Sequence, residues 1–147
     1  MEGFRVLIAD DEVDFLDTLV KRMKKRKVIA QGVRSGEDAI AYLSQNEVDV
    51  VVLDVKMPGM DGIETLREVK KKFPLTEVIM LTGHASMEVA IEGMELGAFD
   101  YLMKPVDFDD LLYKLEDAYK KKSIQETKIK QAGETLRSGG QPVGSKE

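Results

Sequence analysis

Three acids, a hydroxyl and an amine each stand directly after a short run of β-branched and apolar residues. Asp10 and Asp11 follow Arg5 to Ala9, Asp54 follows Val48 to Leu53, Thr82 follows Val78 to Leu81, and Lys104 follows Tyr101 to Met103. If these runs are strands of one parallel sheet, their carboxyl ends share an edge and the five side chains converge there. Two carboxylates about 4 Å apart repel by about 4 kcal/mol at an effective dielectric near ~20, and a third adds to this. A divalent cation together with Lys104 would balance the three acids. Oxygen donors alone, in a chain without cysteine, favour a hard ion, Mg²⁺, with Mn²⁺ able to substitute. A carboxylate facing a metal, an ammonium and a hydroxyl can attack phosphorus, because the positive groups neutralise and orient the transferred group. Asp54 suits the nucleophile's place, since it ends the continuously apolar Val50 to Leu53 and precedes the tight turn signal Pro58-Gly59. His84 is the only histidine, and a lone loop histidine is not assigned to the metal.

The elements that must position these groups are legible as alternation. With Val28 to Val33 as a further strand, five short strand patterns alternate with helical ones, the mark of an α/β fold with a parallel sheet. The first helix carries Leu16, Leu19, Val20 and Met23 on one stripe. The second begins at Ser35, with Asp38 placed for a cap, and turns Ala39, Ile40 and Leu43 inward. The third follows the Pro58-Gly59 turn and packs through Ile63, Leu66 and Val69. The fourth, Ser86 to Leu96, holds Gly93 in its interior and should have the lowest intrinsic stability. The last follows Asp107, a good N-cap, with Phe108, Leu111, Leu112 and Leu115 at helical spacing. Ser123 to Lys130 can extend it, and residues 131 to 147 read as a flexible tail.

Composition narrows the function classes. At 147 residues, 43% apolar and 33% charged, the chain fits one globular domain. It has no cysteine, which removes disulfides and thiolate metal sites and suits a reducing compartment. The short apolar start ends at acids and does not resemble a signal peptide, and no stretch reaches spanning length, so a cytoplasmic protein without membrane contact is expected. A net charge of -5 argues against direct nucleic-acid binding. The basic runs Lys21 to Lys27, Lys70 to Lys72 and Lys120 to Lys122 read as charges complementing helix C-termini.

The segments "LIADDE", "VVLDVKMPGMDG", "IMLTGHAS" and "DYLMKPVD", in this order, resemble the response-regulator receiver domain over residues 4 to about 122. The resemblance implies a flavodoxin-like doubly wound fold with strand order 2-1-3-4-5 and a receiver domain over residues 3–122, followed by a helical extension and tail at 123–147 without an output domain. It implies that a sensor histidine kinase, or a histidine phosphotransfer protein, donates a phosphoryl group to Asp54. It further implies Mg²⁺ ligation by Asp11, Asp54 and the backbone carbonyl of Lys56, helped by Asp10. Thr82 and Tyr101 would form a switch pair, Lys104-Pro105 a cis peptide, and Lys56 and His84 positions that tune dephosphorylation. The signal would leave through a protein surface toward a target the sequence does not name.

Two other classes share part of this chemistry. Aspartate-nucleophile phosphatases of the haloacid dehalogenase type place a second acid two residues after the nucleophile, where this chain has Lys56. An unphosphorylated receiver-like module would lack the acceptor or the lysine, and both are present. The expectation is a switch that catalyses only its own phosphorylation and dephosphorylation.

Overall fold

The computed structural model describes residues 3–83 and 86–137. The chain alternates strictly: β1 (Arg5–Ala9), α1 (Val13–Lys25), β2 (Ile29–Val33), α2 (Gly36–Gln45), β3 (Val50–Asp54), α3 (Gly62–Lys72), β4 (Glu77–Thr82), α4 (Met87–Glu95), β5 (Asp100–Met103) and α5 (Phe108–Arg137). The strands form one parallel sheet in the order β2-β1-β3-β4-β5. The parallel α/β sheet is the one the alternation predicts, and its order is that of the doubly wound, flavodoxin-like fold which the sequence resemblance implies.

Alternation along the strands divides the core into two layers. Val6, Ile8, Val50, Val52, Ile79 and Leu81 face α1 and α5, meeting Leu16, Leu19, Met23, Leu111 and Leu115. Leu7, Val51, Leu53, Val78 and Met80 face α2, α3 and α4, meeting Ala39, Leu43, Leu66, Val69 and Ala90. β3 lies centrally and all five of its residues are buried, as its unbroken apolar run predicts.

Strand ends differ by a few residues where pairing decides them. Asp54 is the last residue of β3, paired with Leu81, rather than the first residue of the loop. β3 begins at Val50 rather than Val48, while β4 gains Glu77 and Thr82 and β5 gains Asp100. Val28 is lost from β2 because its amide donates to the Met23 carbonyl at the end of α1, after Lys27 turns at φ 65.

The caps at Ser35 and Asp107 are as predicted, each accepting from the amide three residues on. Neither Asp10 nor Asp11 caps α1, whose N-cap residue is Glu12.

The larger correction is at the C-terminal side. Residues 131–137, read as tail, are helical, and α5 is 30 residues long; residues 138–147 of the predicted tail lie outside the described residues. The run Lys120 to Lys122 therefore sits within a helix and not at its end. Lys122 is buried and pairs with Asp49 at 2.7 Å and Glu126 at 2.9 Å. Burial lowers its pKa, but the hydrogen bonds it donates to these two carboxylates outweigh that and raise it. Lys121 and Lys70 lie 3.5 Å and 3.8 Å from the buried Glu77 carboxylate. Three basic side chains thus tie α5 and α3 to the starts of β3 and β4.

The turn after β3 is closed by backbone contact. Gly62 donates to the Val55 carbonyl at 3.0 Å, and a Cβ on Gly62 would stand 2.6 Å from Val55 Cα and 2.8 Å from the Asp54 and Val55 carbonyl oxygens. Backbone cannot retreat as a flexible side chain can. Gly62→Ala should therefore cost about 1–3 kcal/mol of stability, the usual range for overpacking, which a urea titration measures. A wild-type midpoint would show that the loop moves freely away from β3.

Candidate functional site

Asp10, Asp11, Asp54, Thr82 and Lys104 are each delivered by a strand end. Asp10 follows β1, is fully buried, and accepts from the Glu12 amide at 2.9 Å, which bends the chain into α1. Asp11, next to it, is exposed. Asp54 at the end of β3 is 7% exposed. Asp10, Asp11 and Asp54 each offer one carboxylate oxygen, and these oxygens lie within 4.8 Å of one another. Lys104, after β5 and ahead of a cis bond to Pro105, reaches back across the edge. Its Nζ is 2.9 Å from Asp10 Oδ2 and 3.8 Å from Asp54 Oδ1.

A cleft of about 360 Å³ opens over these groups, lined by Asp11, Asp54, Lys56, Thr82, Gly83 and Lys104 among others. Thr82 is buried at 1% exposure, and its hydroxyl donates to the Gly83 carbonyl at 3.1 Å. Lys56 is exposed, and its amide approaches Asp54 Oδ1 at 3.4 Å. Tyr101 does not line the cleft; it is half-buried against the α2–α4 layer, beside Met80 in the strand register. His84 lies outside the described residues.

The electrostatics are those of a site short of positive charge. Burial, then the charge of Asp10, pushes the Asp54 carboxyl up from 3.8 to about 7, with Lys104 opposing. Burial lowers the Lys104 pKa, but hydrogen bonds to Glu12 and Asp10 and the charge of Asp54 outweigh it and raise it. One ammonium shared among several acids does not neutralise them. An oxygen-only donor set this close, with one acid driven toward protonation, fits a hard divalent cation.

Two groups at the site were not singled out from sequence. Glu12 Oε1 accepts from Lys104 Nζ at 2.7 Å, and this hydrogen bond lowers the Glu12 pKa. The Phe15 ring lies 4.5 Å under the same nitrogen. Both follow from the α1 pattern once the chain is seen to turn at Asp10, because positions 12 and 15 then lie on one face.

The domain is thus a doubly wound α/β fold with an acid cluster and a lysine gathered at the carboxyl edge of its parallel sheet. The family model for the response regulator receiver domain matches residues 6–116, and the chain belongs to that family. It is 38% identical over 113 residues to the transcriptional regulatory protein ZraR of Salmonella typhimurium, covering 77% of this chain and 26% of that protein. Among solved structures it is similar to a response regulator receiver domain protein from Clostridium thermocellum, at 34% identity and TM-score 0.80, covering 83% of this chain and 98% of the other. It is also similar to NtrX from Brucella abortus, at 27% identity and TM-score 0.81, covering 89% and 30%. The chain thus spans about a quarter of the length of the curated relatives it matches. No helix among the described residues is long and apolar enough to cross a membrane.

The raised Asp54 pKa carries a stability consequence with a defined sign. The folded protein holds this proton where the unfolded chain has lost it, so between about pH 4 and about pH 7 each rise in pH lowers the contribution of Asp54 to stability. In EDTA, Asp54→Asn should be more stable than wild type above pH 7, and the two should converge toward pH 4. Urea midpoints across this range measure it. Parallel profiles would show that Asp54 is not strained by its surroundings.

Proposed function

We propose that this chain is a phosphoryl-accepting receiver that takes a phosphoryl group onto Asp54 from the phosphohistidine of a sensor histidine kinase or histidine phosphotransfer protein. The observation that carries the reading is the approach of Asp10, Asp11 and Asp54 within 4.8 Å, with Lys104 beside them. An oxygen of Asp54 forms the new P–O bond as the P–N bond to the donor imidazole breaks, and the imidazole keeps the bonding electron pair. Lys104 pairs with the transferred oxygens, and the Thr82 hydroxyl leaves the Gly83 carbonyl to donate to one of them. Asp10, Asp11, Asp54 and the Lys56 carbonyl would hold Mg²⁺, or Mn²⁺ in its place, which supplies charge neutralisation on the phosphoryl oxygens when bound.

The output follows from what Thr82 touches in the sheet. Thr82 and Met80 share a face of β4, Tyr101 of β5 lies beside Met80, and Gly93 of α4 packs on the Met80 side chain. Gly93 is therefore a packing glycine as well as a weak helix former. Movement of Thr82 toward the phosphoryl group frees space along this row, which Tyr101 and α4 fill. The chain acts as a switch without a separate substrate, in the cytoplasm, and passes its state to a protein target. Residues 3–122 form the receiver unit, with the rest of α5 leading out of it. Several curated relatives are transcriptional regulators, and DNA recognition in a longer protein would belong to parts outside this unit.

Intact mass after incubation with acetyl phosphate tests the acceptor. Wild type should gain one phosphoryl mass with Mg²⁺ or Mn²⁺ and none in EDTA, and Asp54→Asn none in either. Phosphorylation of the Asn variant would end the assignment, and turnover of a generic phosphomonoester would favour the phosphatase class. Thr82→Ala should still be phosphorylated but show smaller amide-exchange changes in residues 86–104. A full wild-type response would break the proposed coupling through Thr82.

A further inference from the structure

The loop that follows Asp54 is gripped from outside its own hairpin of strand and helix. At its tip Gly59 adopts φ 74, and the next amide, Met60 N–H, donates to Glu37 Oε2 at 3.1 Å. Glu37 belongs to the first turn of α2, where a carboxylate is favoured by the helix dipole. The residue before it, Gly36, is buried against the same loop. A Cβ there would overlap Thr65 Oγ1 and stand 2.9 Å from the Met60 carbonyl oxygen. Thr65 in turn donates to the Asp61 carbonyl at 2.8 Å, and Asp61 caps α3 reciprocally with Glu64. The far side of the loop is closed by Gly62 on Val55, as described above. From Val55 to Gly62 the backbone is thus held at both ends and, through Glu37, at its tip.

We propose that Glu37 is a positioning residue for the phosphoacceptor loop: its carboxylate, acting as a hydrogen-bond acceptor for Met60, fixes the loop so that the Lys56 carbonyl is presented to the divalent cation. This rests on the reading of Asp54 and its neighbours as a metal-assisted acceptor. The reasoning is one of prepaid order. A backbone carbonyl on a free loop must lose conformational freedom when it ligates. A loop already pinned loses less on binding and so binds more tightly. Glu37 itself is exposed, but the close seating of Gly36 sets where its side chain starts. The close approach of Glu37 Oε2, 3.0 Å from where a Gly59 Cβ would be, shows the carboxylate lying directly against the turn.

Two substitutions separate reach from charge. Glu37→Gln keeps an acceptor oxygen at the same length and removes the charge, whereas Glu37→Asp keeps the charge and falls one methylene short of Met60. Mg²⁺ affinity, read by NMR titration of the unphosphorylated protein, should be within about twofold of wild type for Glu37→Gln. It should weaken by about fivefold for Glu37→Asp, a change of ~1 kcal/mol at 1.4 kcal/mol per tenfold. In metal-free protein the Met60 amide should exchange faster in Glu37→Asp only, with the urea midpoint unchanged. The reverse ranking, a weak Gln variant and a normal Asp variant, would mean that Glu37 acts by charge and overturns the inference. Wild-type Mg²⁺ affinity in both variants overturns it too, leaving the Asp54 reading intact. A wild-type protein that does not bind Mg²⁺ at all overturns that reading and this one together.

Discussion

Repulsion among Asp10, Asp11 and Asp54 is the constraint around which the rest is arranged. Carboxylates this close are unfavourable in each other's field, and the sheet nevertheless holds two of them buried at its edge. The hydrophobic contacts of two core layers supply the stability that makes this tolerable. Lys104 answers only part of the charge, and it is itself divided among Asp10, Glu12 and Asp54. The result is a domain whose edge is electrostatically incomplete until positive charge arrives. That incompleteness leaves the edge open to further positive charge, which would redistribute the hydrogen bonds that Lys104 now divides among these acids.

The opposite edge of the sheet solves a similar problem differently. Glu77 at the start of β4 is 1% exposed and its Oε1 has no hydrogen-bond partner among the described residues. Lys70 and Lys121 stand at ion-pair distance, and Lys122 answers Asp49 alongside. Burial lowers the Lys70 pKa despite the Glu77 charge. Here the cations are supplied in full by α3 and α5, so this edge has structural character.

Much of the edge chemistry was legible because strand ends are a sequence feature. An apolar run that stops at Asp54 or Lys104 places that residue with little ambiguity in a parallel sheet, and the order of the strands does the rest. What depended on tertiary contact was not legible. Gly36, Gly62 and Gly93 look like ordinary loop and helix glycines until the neighbours a Cβ would strike are known. Lys120 to Lys122 look like the end of a helix because basic residues commonly cluster there, and only the acids at the starts of β3 and β4 reveal why the run lies mid-helix. Glu37 carries no signal of its own, and Glu12 gains one only once the chain is seen to turn at Asp10, since an exposed acid near a helix start is usually explained by the dipole alone.

The length of α5 has a mechanical meaning. The helix starts just after Lys104 at the acidic edge, runs back past the anchors at Asp49 and Glu77, and continues to Arg137. At 1.5 Å per residue, roughly 22 Å of it projects beyond Lys122. Ion pairs hold the helix to the sheet at Lys114, with Asp100, and at Lys121 and Lys122, with Glu77 and Asp49, and a rod held there pivots about the last of these points. A tilt of about 5° there sweeps the far end through roughly 2 Å, so a displacement too small to disturb the core becomes, at Arg137, comparable to the spacing between neighbouring atoms.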